Sequence, residues 1–471
     1  MEFDKGNFSE WFSKVLELQD IIDLRYPVKG MPVYKGWGFK LLRNSFEILE
    51  RLLDESGHQR MLFPLLIPED QFDKEAEHIK GFKDEVLWAT HGGLKKLERN
   101  LALRPTSETA VYPMFALWVR SHNDLPLKVH QTTCVYRHET KATKPLVRGR
   151  EVYWNEAHTA NRDFEDADRQ VEEGFEIYSR FWDELCIPFL ALRRPEHDKF
   201  PGAVYTVAMD TLMPDGKVLQ IATLHNLGEN FSRVYGIVYT DEKGERRYAC
   251  DTCYGISMRC LAALISIHGD DRGLVLPPAV APVQVIIVPI PGGEKEKIIA
   301  KCNELKERLK QRRIRAEVDA GNKRPGEKYY FWEGRGVPVR LELGPKDFAN
   351  GQVVLAKRTG GKTAVAEGNV IEEVERALGE IEKELRERAW AELRKNMREA
   401  DTLEKVRQLI EKHGGFIETG WCGRRECADT LKANTTAEIR GTLYRGYRHL
   451  KKKCLVCGLE AKETVWIAKA Y

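Results

Sequence analysis

Between residues 7 and 25 the apolar positions Phe8, Trp11, Phe12, Val15, Leu18, Ile21 and Ile22 recur every three or four residues. That spacing predicts an amphipathic helix. The next stretch, RYPVKGMPVYKGWG, is broken by proline and glycine and predicts irregular or edge structure. A second amphipathic helix is predicted over about 38–56. It runs into a strand, HQRMLFPLLIPED, that carries Pro64. Proline in a strand marks an edge or an interface. In LRPTSETAVYPMFALWV, Pro105 breaks a strand, and Thr106 and Ser107 stand where they could cap a helix starting near Glu108. TTCVY before Arg137 and EVYWNEAH after Arg150 are rich in β-branched and aromatic side chains. They predict two paired strands joined by a long loop. A charged helix over 163–185 follows, then strands in IPFLALRR, AVYTVAMDT and GKVLQIATL, and an apolar helix in SMRCLAALISIHG.

The proline-rich LPPAVAPVQ, residues 276–284, predicts a domain boundary. Beyond it, the apolar run VQVIIVPI, a charged helix, and the runs RAEVDA, VPVRLELG and QVVLAKR alternate strand and helix. This predicts an α/β domain with a mostly parallel sheet. GNKRPGEKYYFWEGRG sets cations beside aromatics, a combination suited to unpaired nucleic-acid bases. The aromatic edge of a core with charged neighbours would look the same. Residues 370–413 read as charged, solvent-facing helix, with Glu placed before Lys or Arg at helical spacing.

With 471 residues the chain has room for about three domains. A net charge of +3 neither demonstrates nor excludes a nucleic-acid partner, because a local basic face matters more than the sum. The first residues lack the apolar core of a signal peptide, and no run approaches the length of a membrane span, so a cytoplasmic protein is expected. Four of the ten cysteines fall after residue 420: Cys422 and Cys427, then Cys454 and Cys457. Four thiolates in two close pairs satisfy tetrahedral zinc without an open position, so a structural Zn2+ site is predicted.

The chemistry-bearing stretch runs from Arg137 to His158. Arg137 and Glu139, two apart, project onto one face of a strand. The loop after them holds Lys141, Lys144, Arg148 and Arg150, with Pro145 and Gly149. Arginine forks suit phosphate oxygens, and a carboxylate can accept from an adenine amino group. A nucleoside triphosphate fits this device, and so does an exposed hairpin with a charged tip.

RPTSET, YRHET followed by RGRE and WNEAHTA, LHNLGENFS, and SMR followed by HGDDRGLVLPP occur in the order found in prolyl-tRNA synthetases. The chain resembles the archaeal and eukaryotic-type branch of that family from its first helix to its final tyrosine. The resemblance implies an α+β fold. A class II synthetase catalytic domain built on an antiparallel sheet (residues 1–280) would precede an α/β anticodon-binding domain (281–378) and a small zinc-binding C-terminal α/β domain (379–471). It implies a homodimer in the cytoplasm, with ATP, L-proline and tRNA(Pro) as partners and Mg2+ accompanying ATP. The helix and Pro64 strand would form the dimer motif.

By the same resemblance Arg137 and Arg259 are the catalytic pair, Arg137 bridging proline and the α-phosphate. Thr106, Glu108, Arg137 and His225 would hold proline. Glu139, Arg148, Gly149, Gln220, Thr223, Ser257 and Arg259 join Arg137 around ATP, with Gln220 helping to seat Mg2+. Val152 stands where relatives often carry a phenylalanine against the adenine. Cys250 and Cys253, a C-x2-C pair, lead straight into GISMR, where the family has a stretch lining the amino-acid pocket, so they are not read as half a zinc site. Asp270 and Asp271 are read as a helix-ending loop. The terminal Tyr471 is expected to fold back toward the catalytic domain. No stretch is left for the large editing insertion of bacterial-type relatives, so misactivation of cysteine and alanine is expected. Two alternatives stay open on these residues: a synthetase of the same subclass for another amino acid, and an RNA-binding paralogue with a relic site.

Overall fold

The computed structural model describes residues 3–73, 85–139, 142–446, 451 and 453–471. Lys141 and part of the basic stretch near the C-terminus lie outside them. Helix α1 (Phe8–Leu18) is shorter than its apolar spacing predicts. Asp20 adopts a positive φ of 62°, so the chain turns, and Ile21 and Ile22 reach the core from outside the helix. Helix α2 (Gly36–Glu55) buries Leu41, Leu42, Phe46, Leu49, Leu52 and Leu53 on one stripe. The predicted strand through Pro64 is instead two short pieces, Gln59–Arg60 and Leu66–Pro68, which pair with different partners. Proline has no N–H for the ladder. The carbonyls of Phe63 and Pro64 accept from the Arg104 guanidinium at 2.7 and 3.3 Å. Helix α3 spans Glu108–Trp118.

The predicted hairpin is present, but its first strand ends at Tyr136, so Arg137 and Glu139 do not share a strand face; the Glu139 N–H turns back to Arg137 O at 2.8 Å. Strand β1 (Leu127–Tyr136) pairs antiparallel with β2 (Glu151–Asn161), Leu127 opposite Ala160 and Tyr136 opposite Glu151. Helix α4 (Phe164–Glu184) follows, then β3 (Leu190–Arg193), β4 (Tyr205–Leu212) and β5 (Val218–Gly228). Strand β6 (Cys250–Ser257) leads into helix α5 (Arg259–His268). These strands form an antiparallel sheet in the order β3-β4-β5-β6-β2-β1, with Gln59–Arg60 at the far edge. Alternate residues of a strand face opposite sides. Tyr254 and Ile256 therefore join the core with α2, α4 and α5, while Cys253, Gly255 and Ser257 turn to the side on which α3 lies.

The next unit holds β7 (Val285–Pro289), helix α6 (Lys295–Gln311), β8 (Ala316–Val318), helix α7 (Pro325–Gly334), β9 (Val339–Leu343), β10 (Gln352–Lys357) and β11 (Lys362–Ala366). Its sheet order is β8-β7-β9-β10-β11. Strand β7 pairs parallel with β8 and with β9; the other two pairings are antiparallel. The sheet is therefore mixed, not mostly parallel, because β9, β10 and β11 are joined by connections too short for a crossover helix. Asp270, in the loop after α5, accepts both arms of the Arg358 fork at 2.6 and 2.9 Å and ties this unit to the first. Trp332 packs edge-on against Trp37 with ring centroids 6.0 Å apart, so part of the predicted base-stacking cluster is core. Tyr330 stays 77% exposed.

Helix α8 (Val370–Lys395) leads to β12 (Met397–Glu399), helix α9 (Leu403–Lys412), β13 (Phe416–Trp421), helix α10 (Arg425–Thr435), β14 (Glu438–Leu443) and β15 (Glu463–Ala468). These strands do not form a separate sheet. They run β12-β13-β15-β14 and continue into β3. Thr442 stands opposite Arg193 and Leu443 opposite Leu192.

Candidate active site

A cavity of about 360 Å3 opens on the α3 side of the first sheet. Its walls include Thr106, Glu108, Arg137, Glu139, Arg148, Gly149, Gln220, Thr223, His225, Ser257 and Arg259. Every residue that the sequence assigns to proline or ATP thus lines one space, although they come from five separate parts of the chain. Strand register explains part of this. Thr206, His225, Cys253 and His158 form one row across β4, β5, β6 and β2. Thr223, Gly255, Glu156 and Gln131 form the next row.

One end of the cavity is acidic and aromatic. The Thr106 and Ser107 side chains do not cap α3. The Thr106 hydroxyl donates to Glu108, and Ser107 Oγ accepts from Gln131 at 3.1 Å. Glu108 is buried, with Cys253 Sγ donating at 3.6 Å. Glu156, also buried, accepts from Gln131 at 2.8 Å and meets His158 Nε2 at 3.1 Å. Burial alone would lower the His158 pKa, but the bond to Glu156 raises it. His225 is the opposite case. Burial, helped by His158, drives its pKa down to about 3, so it is neutral. Its Nδ1 lies 2.8 Å from Thr206 Oγ1, and its ring packs on Phe200 at 4.7 Å. A buried carboxylate with a neutral imidazole and an aromatic wall suits a small cationic amine with an apolar body.

The other end is cationic. The Arg137 backbone N–H binds Arg150 O at 2.9 Å, and its Nε donates to Pro105 O at 3.0 Å. Burial lowers the Arg137 pKa, against the pull of Glu85, Glu108, Glu139 and Glu156. Arg148 lies 3.7 Å from Glu139. Arg259 donates to Val147 O at 2.9 Å and to Gln220 O at 3.2 Å. Its pKa is pushed down to about 10 by burial, then by Arg137 and Arg148. Arg137 and Arg148 stand near enough to perturb Arg259, a crowding of positive charge that an anion relieves. Gly149 approaches Gly30 closely, and a Cβ there would sit 2.9 Å from the Gly30 carbonyl. Lys144 leaves the cationic set: its Nζ lies over the Tyr471 ring at 4.3 Å, while Tyr471 Oη donates to Asp215 at 2.7 Å. The final tyrosine does fold back to the hairpin loop.

Gln220 Oε1 accepts from Arg194 Nη2 at 2.8 Å. An amide oxygen carries two lone pairs, so it can accept from Arg194 and still face a cation. Gln220 therefore fits as one oxygen ligand of the Mg2+ that would accompany ATP. Trp154, Glu156, His158, Arg194, Phe200 and Cys253 also line the cavity and were not singled out as site residues from the sequence.

In the C-terminal unit, Cys422, Cys427, Cys454 and Cys457 bring their sulfurs within 4.8 Å of one another. Arg424 Nε donates to Cys422 Sγ at 3.5 Å, which favours the thiolate. Four sulfurs with a cationic donor fit a closed tetrahedral zinc site.

Family models match the chain in three places. A class II tRNA synthetase core domain (G, H, P, S and T) matches residues 89–268, an anticodon-binding domain 284–388, and a prolyl-tRNA synthetase C-terminal domain 403–471. The chain is 49% identical to a protein named proline--tRNA ligase from Methanopyrus kandleri, over 99% of this chain and 97% of the relative. It is 48% identical to the protein of that name from Methanosarcina mazei, over 99% and 98%. A solved structure of Giardia lamblia prolyl-tRNA synthetase in complex with prolyl-adenylate superposes with a TM-score of 0.96 at 38% identity, over 100% of this chain and 99% of that one.

Proposed function

Because the chain belongs to the prolyl-tRNA synthetase family, of class II, we propose that it charges tRNA(Pro) with L-proline through a prolyl-adenylate. A proline carboxylate oxygen attacks the α-phosphorus of ATP. The bond from that phosphorus to the bridging oxygen breaks, and pyrophosphate leaves. The terminal ribose hydroxyl of the tRNA then takes the prolyl group, and AMP leaves. No side-chain nucleophile is needed. What the chemistry needs is orientation of two mutually repelling anions and positive charge where negative charge builds up.

The observation that carries this reading is the polarity of one cavity, lined by Glu108, Thr106 and His225 and by Arg148 and Arg259, with Arg137 near enough to interact with both Glu108 and Arg259. Glu108 would hold the imino group of proline, and Arg137 would meet both the carboxylate and the α-phosphate. Arg148 and the Gly149 backbone would take the outer phosphates, Glu139 the adenine amino group, and Arg259, beside Ser257, the base and triphosphate. Thr223 would donate to nucleotide oxygens, and Gln220 would help seat the Mg2+ that accompanies them. Val152 gives the adenine less stacking than a phenylalanine would. ATP enters as its magnesium complex.

ATP–pyrophosphate exchange checks the assignment. Exchange should depend on proline and stay at background with threonine or glycine. Background exchange with proline, alongside tight tRNA binding, would mark a relic site.

Specificity has a limit set by size. A pocket shaped for proline rejects a smaller amino acid by only about 1–3 kcal/mol per missing methylene. Cysteine at high concentration is therefore expected to support measurable exchange, with alanine weaker, and this chain should not hydrolyse the mischarged tRNA. Exchange at background with saturating cysteine would remove this expectation.

The reading extends to assembly. Residues 1–280 would form the catalytic domain, 281–378 the anticodon-binding domain and 379–471 the zinc-holding domain. The chain would act in the cytoplasm; among the described residues no helix is long and apolar enough to cross a membrane. A homodimer is proposed through the face bearing Leu62, Leu65 and Leu66, all exposed in the single chain.

A further inference from the structure

The amino-acid end of the cavity holds three side chains of the kinds that bind transition metals. Glu108 opens α3, His158 lies on β2 and Cys253 on β6. All three are buried, and a donor atom from each lies within 4.8 Å of the other two. The fold brings them together. His158 and Cys253 stand directly opposite each other in the β2–β6 ladder. Glu108 reaches them from α3, with Cys253 Sγ 3.6 Å from its Oε1. His158 Nε2 lies 3.1 Å from Glu156, and its Nδ1 lies 3.3 Å from Tyr112 Oη. Among the described residues the only other group of this kind is the four-cysteine cluster.

We infer that Glu108, His158 and Cys253 form a second metal site, which takes Zn2+ in place of the amino acid, so that free Zn2+ inhibits this chain in competition with proline. The competition rests on the assignment of Glu108 to the proline imino group made above; the metal site itself does not.

A thiol, an imidazole and a carboxylate suit Zn2+ and disfavour Mg2+ or Ca2+, which need all-oxygen shells. With zinc's usual bond lengths the edges of the coordination tetrahedron are about 3.5 Å. The Cys253–Glu108 edge already has that length. Closing the rest takes a shift of His158 by about an ångström. The ring can give up one of its two contacts and be oriented by the other. If it keeps Glu156, that carboxylate backs the metal-bound histidine, as acceptors do in many zinc sites. On binding, the Cys253 thiol gives its proton to solvent and the thiolate sulfur takes the metal, so Zn2+ enters and H+ leaves. The ion's charge also answers the buried Glu108 and Glu156, the demand that a proline cation would otherwise meet. Three protein ligands leave a fourth position open, the pattern of an exchangeable site and not of a closed one. It should therefore load after the four-cysteine site. The bound ion takes the place of the imino group at Glu108 and leaves Arg148 and Arg259 as they were.

The test starts from full-length protein that already holds zinc at the four cysteines. Equilibrium dialysis against added Zn2+, followed by elemental analysis, should raise the content from about one to about two per chain. Co2+ added to the same protein should give the absorption of a thiolate–cobalt bond, and saturating proline should abolish it. In exchange assays with excess magnesium–ATP, Zn2+ should raise the proline KM in proportion to its concentration, with kcat and the ATP KM unchanged. Cys253→Ala, which deletes one ligand of three, should need at least about tenfold more Zn2+ for the same proportional rise. Cys253→Ser, a weaker ligand of similar size, should fall between. Each comparison is a ratio within one variant, so altered basal exchange does not enter it. Should the alanine variant not fold, the serine variant and the displacement by proline in the parent protein carry the test. A zinc content that does not rise, a cobalt band that survives in Cys253→Ala, or a band that saturating proline leaves in place would each overturn the inference. So would equal inhibition of the parent and Cys253→Ala. Dialysis and cobalt absorption read the metal without catalysis. A parent protein that takes the second ion but shows no proline-dependent exchange would therefore uphold the metal site and sink the proline assignment alone.

Discussion

Arg137→Ala is expected to reduce proline-dependent ATP–pyrophosphate exchange by roughly a thousandfold or more, about 4 kcal/mol of transition-state stabilisation, the scale for removing a donor aimed at developing negative charge. The side chain is held for such a task. Its backbone N–H binds Arg150 O and its Nε donates to Pro105 O, which hold the side chain in place at the cavity wall. It stands between the acidic and cationic ends of the cavity, where the amino-acid carboxylate and the α-phosphate have to meet. Removing it also leaves Glu108 and Glu156 with less positive charge nearby. Circular dichroism and a melting curve should therefore accompany the assay and show a folded protein. Arg137→Lys should recover only part of the rate, since an ammonium supplies charge without the fork. A folded alanine variant with near-normal exchange would take Arg137 out of the mechanism.

How much of this site is legible in the amino-acid order depends on whether the signal is local. The hairpin before Arg137, the helix opening at Glu108 and the helix opening at Arg259 are each announced by neighbours within a few residues and form as expected, whereas Arg137 and Glu139 themselves fall just past the strand. Cys422, Cys427, Cys454 and Cys457 are legible because metal ligands come in close pairs. Residues that reach the cavity by lying beside one another across strands carry no such mark. His158 faces Cys253 only because β2 and β6 pair in one register, and a sequence does not state a register. Arg194 is the instructive miss. Asp210 interrupts the apolar run AVYTVAMDT, and an acid in a buried strand needs a cationic partner. That signal asks for an arginine without saying which; the answer includes Arg440, far away in sequence. The same non-locality hid the joining of β14 to β3, since either strand alone reads as an ordinary edge.

Removing the metal expected at the four cysteines should disable more than the unit that holds them. The sulfurs come from the end of β13, from α10 and from the segment before β15, so one ion would fasten three pieces of chain. The core beneath is small, built around Val406, Ile417, Leu431, Val465 and Ile467. A structural zinc contributes on the order of 10 kcal/mol to folding in small domains, more than such a core can replace. Strand β15 pairs with both β13 and β14, and β14 carries Arg440 into the Asp210 pair. Loosening the cysteine cluster therefore frees the seam at the nucleotide end of the cavity. Elemental analysis should find about one zinc per chain, the number that four thiolates hold. Cys454→Ser, or stripping with a strong chelator, should expose residues 397–471 to protease and cut exchange at least tenfold, with the ATP KM rising before the proline KM. Protein verified as metal-free that melts at the parent temperature and keeps full exchange would show that the cysteine cluster supports neither the fold nor the site.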